Sequence, residues 1–302
     1  MSPLPDPKEV RKNILKCSHE SGHGHIPTSF SIIEMVLATY GVMNHDPKNP
    51  DYPDRDLFIL SKGHAALGYY CCLAELEYFD PRLIESFGGA GTIFGCHPDR
   101  VKQPWVEVSC GSLGHGIGVG AGMALAQKIN QTDRQTYCLV GDGESNEGTV
   151  WEAVMVAVDQ ELDNFTILYD YNQSQTRCLQ IRKPSDIFNA FGCDVHEVNG
   201  HDIEELQKAL SFSSKEKPKC IVCNTIKGYG CETLVNEVFA WHRRSPNENE
   251  LHQLLEELNA FLGTGTNISK ICVFCTPSNS KVKLCAPKLN KCGDLSAMIP
   301  SS

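Results

Sequence analysis

The chain has little of what would tie it to a membrane or to nucleic acid. No apolar stretch in its 302 residues approaches the roughly 20 that a membrane-spanning helix needs. Its start, MSPLPDPKEVRKN, lacks the apolar core of a signal peptide, so a cytoplasmic location is expected. Positive charge is also short: 27 Lys and Arg stand against 37 Asp and Glu, a net charge of −10. A nucleic-acid partner would call for a basic face, so none is expected. Internal repeats and long low-complexity linkers are missing as well. An acidic chain can still bind an anion where a metal ion or helix N-termini supply local positive charge.

Cysteine, by contrast, is abundant. Fifteen is an odd count, and most are scattered singly or in apolar runs, as at Cys71, Cys72, Cys138, Cys193, Cys220 and Cys223. In a long chain of this kind they read as reduced core residues rather than a disulfide framework. Hydrophobic and charged contents of 41% and 21% are ordinary for a globular protein, and the length allows one large domain or one domain plus a tail.

Patterning predicts helices over 7–17 and 29–41, the second opening on Thr28 and Ser29 as possible caps and stopping at Gly41. RDLFILSKGH reads as a strand ending in a polar loop, AALGYYCCLAELEYF as a buried helix, and 87–111 as loop. Glycines at 114, 116, 118, 120 and 122 follow, with Gly114, Gly118 and Gly122 on one helical face where another backbone could pack closely. Then strands and helices alternate: strand 136–141, helix 147–160, strand 165–170, helix 184–190, strand 192–197, helix 202–211, strand 219–225. This order predicts an α/β fold, a parallel sheet with helices on both faces. Ligands in such sheets bind at the carboxyl ends of the strands.

GDGESNEG, residues 141–148, lies at one such end, and YDYN at another. Thirty residues separate Asp142 from Asn172, one helix plus one strand, so the two meet at the same sheet edge. The carboxylate of Asp142, the side-chain oxygen of Asn172 and a main-chain carbonyl such as that of Ser174 offer three hard oxygen ligands, suited to Mg²⁺ or Ca²⁺. Gly141 and Gly143 let a diphosphate approach the backbone, and the helix beginning near Glu147 offers it N–H groups.

GDG followed about thirty residues later by Asn resembles the thiamine-diphosphate signature, and GDGESNEGTVWEAVMVAV resembles its transketolase version. SGHGHIPTSFS, DRDLFILSKGHAALGYY, GCHPDR, GSLGHGIGVGAGMALAQK, FGCDVHEVNGHDIEEL and NEVFAWHRRSPNENEL resemble further family segments, in order over roughly residues 8–257. The resemblance implies the thiamine-diphosphate-binding fold over 1–261 and ketol transfer from a ketose to an aldose, with sugars or sugar phosphates as substrates. It places His25, His64, His97 and His242 around the thiazolium and the substrate hydroxyls, with His23 as the alternative to His25. Imidazoles suit such proton transfers. It further implies that Gly111, Ser112 and Leu113 lie on the cofactor; His115 stands where many relatives have Gln and offers a contact to a phosphate. Glu147 would act across a dimer, and Glu144 reads as a solvated loop acid.

A full-length transketolase is about twice as long, with a second α/β domain that binds the aminopyrimidine and supplies an activating glutamate. This chain resembles the N-terminal subunit of a split transketolase, expected to form a homodimer within an α₂β₂ complex with a C-terminal partner. Three alternatives stand beside this one. The first is a 1-deoxyxylulose-5-phosphate synthase-like enzyme, and the second a non-catalytic thiamine-binding scaffold. The third is an NAD-type fold built on GIGVGA, 116–121, with Asp142 as the ribose acid. Residues 262–302 read as a poorly ordered appendage. Its Cys272, Cys275, Cys285 and Cys292 leave a four-thiolate zinc site as the other possibility.

Overall fold

The computed structural model describes residues 3–177 and 179–261; the expectations for the 262–302 segment lie outside the described residues. Five strands, β1 (Leu57–Leu60), β2 (Thr136–Gly141), β3 (Phe165–Tyr171), β4 (Asp194–Asn199) and β5 (Lys219–Asn224), form one sheet in the order β1-β2-β3-β5-β4. Every pairing is parallel. Parallel neighbours need crossover connections. These are supplied by α4 (Ala66–Glu75) and α5 (His115–Ile129) between β1 and β2, α6 (Gly148–Asp159) between β2 and β3, α7 (Pro184–Phe191) before β4 and α8 (Ile203–Leu210) before β5. Three helices precede the sheet, α1 (Pro7–Ser21), α2 (Ile26–Ser31) and α3 (Ile33–Tyr40); two follow it, α9 (Glu232–Asn236) and α10 (Glu248–Ala260).

Successive side chains on a strand point to opposite faces, and the core divides accordingly. Tyr137, Leu139, Leu168 and Ile221 pack with the apolar faces of α1, α3 and α4. Cys138, Val140, Ile167 and Val222 pack with α5, α6 and Phe188 of α7. Because both faces are covered, the central strands read as apolar runs rather than alternating ones. Among the described residues ten cysteines are free thiols, nine of them buried, and no helix is long and apolar enough to cross a membrane.

One local expectation is corrected. The second helical segment begins at Ile26, with Pro27 in its first turn. Proline is pre-set for that position because its missing N–H has no helical partner there. Thr28 and Ser29 are therefore buried within α2 and are not caps. The glycine helix uses two further glycines within the chain. A Cβ on Gly116 would lie 2.7 Å from the Ser61 Cα, and one on Gly120 would press on Phe165 and Ile59, whereas a Cβ on Gly118 or Gly122 would face open space. Gly116 and Gly120 let α5 sit down on the sheet. Gly114, with φ 80°, is the left-handed residue ahead of its first turn.

Candidate active site

The carboxyl ends of β1, β2, β3 and β5 place their following residues side by side, as the parallel register requires. Asp142, one residue past β2, is 2% exposed. Its carboxylate accepts from the Gly143 N–H at 2.7 Å, the Ser174 N–H at 3.1 Å and the Ser174 hydroxyl at 3.3 Å. The Asn172 Oδ1 also accepts from the Ser174 N–H, at 3.1 Å. Asp142, Asn172 and Ser174 are thus brought into one cluster, with the Ser174 amide and hydroxyl turned to the carboxylate. Burial, together with the neighbouring Asp170, pushes the Asp142 carboxyl up to about 6.

Asp170, the lone acid inside β3, is fully buried. It is paired with Lys62 and receives hydrogen bonds from Thr225, from Ser31 at 2.8 Å and from the Asn172 amide at 2.8 Å. Burial would raise its carboxyl, but Lys62 and these donors hold it below the usual carboxylate range. Sequence patterning missed both Asp170 and Lys62. An acid in the middle of the apolar run FTILYDY was the available signal, because a buried carboxylate needs a partner.

Glu144 overturns the expectation of a solvated acid. It is 2% exposed; one carboxylate oxygen accepts from the Ser61 hydroxyl at 2.5 Å and the Gly114 N–H at 2.9 Å, the other from the Gly141 N–H at 3.0 Å. One side chain therefore ties the end of β1, the start of α5 and the end of β2. Burial raises its carboxyl while the three donors pull it back.

The histidines gather from three distant loops. The ring of His25, immediately before α2, lies 5.5 Å from that of His64 and 5.4 Å from that of His242; His64 and His242 are 6.4 Å apart. His23 instead lies against Gly88, outside this triangle. His97 flanks the group, its ring 3.6 Å from where a Cβ on Gly111 would lie. Burial, then the neighbouring His242, brings His25 down to about 4. Burial and Lys62 hold His64 well below the ordinary histidine value, and burial also lowers His97 and His242. These rings are neutral at physiological pH and free to accept or donate a proton.

A further cation, Lys227, follows β5 and places its Nζ 3.4 Å from the His242 Nδ1. Burial, and then the proximity of Lys62, lowers it to about 8. Gly111 and Ser112 are exposed, Leu113 is half-buried, and exposed His115 keeps its Nδ1 on the Leu113 carbonyl at 3.1 Å. Glu147 is exposed at the N-terminus of α6. GIGVGA lies inside α5, preceded by loop rather than strand, which removes the strand-turn-helix context of the dinucleotide alternative.

The donor set fits a hard divalent cation and a diphosphate. A carboxylate held raised by a second buried carboxylate is relieved by a divalent cation. Gly143 is exposed, and a Cβ there would meet nothing within 4 Å, which leaves its backbone open to a close-approaching group. Lys62 and Lys227 supply positive charge beside it.

Fold and site together define a thiamine-diphosphate-binding domain. Residues 13–259 match the family described as transketolase, thiamine diphosphate binding domain. The chain belongs to the transketolase family and corresponds to its N-terminal domain. It is 38% identical over 259 residues to an apulose-4-phosphate transketolase subunit of Actinobacillus succinogenes, covering 83% of this chain and 94% of that one. It is 37% identical over 229 residues to a 6-deoxy-6-sulfo-D-fructose transketolase subunit of a Clostridium species, covering 73% of this chain and 83% of that one. Among solved structures, the transketolase of Campylobacter jejuni superposes with a TM-score of 0.76 at 28% identity, over 84% of this chain. That match spans only 42% of the Campylobacter chain.

Proposed function

We propose that this chain is the diphosphate-binding subunit of a Mg²⁺-dependent transketolase, which transfers a two-carbon ketol unit from a ketose or its phosphate to an aldose. The observation that carries this reading is the convergence of Asp142, Asn172 and Ser174 with the triangle of His25, His64 and His242 at one edge of the sheet. Asp142 and Asn172, with Ser174, would hold Mg²⁺ and, through it, the diphosphate. Gly141, Gly143 and the 111–113 loop give the cofactor close backbone access. Bound thiamine diphosphate supplies the electron sink for breaking the carbon–carbon bond beside a ketose carbonyl. His25, His64, His97 and His242, neutral in their desolvated cluster, hold substrate hydroxyls and move their protons. Lys227 adds a charge beside His242.

The chain's relatives include separate subunits, and they support a division of labour. The pyrimidine end of the cofactor would be bound by a C-terminal partner subunit. The open face at Gly118 and Gly122, bordered by exposed Val119 and Val156, suits a second copy of this chain, giving α₂β₂. In that arrangement exposed Glu147 would act across the dimer. Residues 1–261 would form the binding domain and 262–302 an appendage. The first test is direct: titrate the chain with thiamine diphosphate by intrinsic fluorescence, with Mg²⁺ and with chelator. Saturable binding that requires Mg²⁺ is expected; binding indifferent to the metal would sink the assignment.

A further inference from the structure

Behind the site, on the far side of the segment that carries Lys227, lies a buried polar chain that the proposed chemistry does not use. Arg11 of α1 forms a two-pronged ion pair with Glu34 of α3, at 2.7 and 2.9 Å, and also donates to the Phe30 carbonyl at 3.1 Å. Glu34 accepts from the Nδ1 of His201, in the turn after β4, at 3.1 Å. The other ring nitrogen of His201 accepts the Ile226 backbone N–H at 2.9 Å. Tyr229 stacks on the imidazole, 3.6 Å between ring centres and 10° from parallel, and the Arg11 guanidinium lies over the Tyr229 ring, 5.2 Å from its centre. All four side chains line one cavity of about 690 Å³.

Two of these bonds define the tautomer. Glu34 takes the Nδ1–H, so Nε2 is left as an acceptor, which the Ile226 amide needs. The consequence falls on the next residue. Lys227 stands between two fixed amides: Ile226 held by His201, and Gly228 held by the Pro27 carbonyl at 3.1 Å. The chain turns through left-handed conformations at Gly228 and Gly230, φ 87° and 99°; the Tyr229 N–H to Ile226 carbonyl bond at 3.1 Å closes the turn around Lys227, and the two amide anchors fix how that turn sits against the rest of the fold.

We propose that His201 is a positioning residue: relayed by Glu34 and Arg11, it pins the Ile226 amide and thereby aims Lys227 at His242 and at the bound diphosphate. Only the ligand rests on the functional reading above; the pin itself stands on the backbone geometry. The same ion cluster, through the Phe30 carbonyl, also steadies α2, whose first turn follows His25. Loop and histidine are therefore set against one frame.

The test uses the full chain with Mg²⁺ and thiamine diphosphate as the probe, read by intrinsic fluorescence. A hydrogen bond from a charged donor contributes about 10- to 100-fold to binding, so His201→Ala, which misdirects Lys227, should weaken binding by up to that factor. His201→Gln carries a donor and an acceptor at its end and should restore most of that loss. Lys227→Met should weaken binding too, and His201→Ala added to it should cost little more, because one residue acts through the other. A purely structural His201 would give losses that multiply, with Gln no better than Ala; either result overturns the proposal. Hydrogen exchange decides independently of the ligand. The Ile226 amide should exchange faster in His201→Ala and return toward the wild-type rate in His201→Gln. An unchanged rate refutes the pin even if the wild-type chain binds no thiamine diphosphate, and that separate failure would count against the functional reading alone.

Discussion

Glu144 offers a severe test of the site's architecture, because an acid in a loop is ordinarily expendable. Its carboxylate receives three buried donors, the Ser61 hydroxyl and the Gly114 and Gly141 amides, at 2.5, 2.9 and 3.0 Å. Glu144→Ala strands all three. An unsatisfied buried donor costs about 1–3 kcal/mol, and rotation of the Ser61 hydroxyl recovers part of the loss, so a total of about 3–5 kcal/mol is expected. At about 2–4 °C per kcal/mol for a domain of this size, thermal unfolding should fall by roughly 6–20 °C. Glu144→Gln keeps the shape and one acceptor but turns an N–H₂ toward a donor, so it should cost about half as much. Calorimetry or circular dichroism of the metal-free chain reads both. A shift below about 2 °C for Glu144→Ala, the ordinary cost of a surface change, would show that the carboxylate does not organise this corner.

Asp142→Ala should abolish Mg²⁺-dependent binding of thiamine diphosphate, and Asn172→Ala should weaken it in the same sense; undiminished affinity in calorimetric titration would contradict the metal set. His25 titrates near 4 rather than near its ordinary value. The unfolded chain therefore binds the extra proton between about pH 6.5 and 4, and the stability His25 contributes is present above that window and lost as pH falls through it. His25→Gln should flatten the pH dependence of unfolding there, and an unaltered profile would refute the desolvated cluster. Gly118→Leu, in open space, should leave the fold intact but break the proposed homodimer, as read by light scattering. Gly116→Ala, whose Cβ would lie 2.7 Å from the Ser61 Cα, should instead destabilise the monomer itself. Metal analysis of the whole chain should find no tightly bound zinc; one equivalent, lost on deleting 262–302, would assign it to the four cysteines there.

The strands were legible because each central run is apolar on both faces, and the period leaves little choice. The Asp142–Asn172 pair was legible because one helix and one strand fix their separation, and the histidine loops because each carries a local pattern. What stayed hidden depends on contacts between segments far apart in the chain. Glu144 looks like any loop acid until Ser61 and Gly114 close over it. Lys62 and Asp170, 108 residues apart, become a pair only through the β1-β2-β3 order. His201 sits in NGHD, which the resemblance included without giving it a role. Thr28 and Ser29 look like caps because propensity is local, and Pro27 overrides them one residue earlier.

On the proposed reading, this chain supplies one half of a thiamine enzyme's active site. The most direct test of that reading is a ketol-transfer assay on the purified chain by itself, on a C-terminal transketolase partner by itself and on the two mixed, each with thiamine diphosphate, Mg²⁺ and a panel of ketoses and aldoses. Transfer should occur only in the mixture, and it should vanish when Asp142→Ala replaces the wild-type chain. Transfer by the chain without its partner, at the rate of the mixture, would mean that the chain holds a complete site.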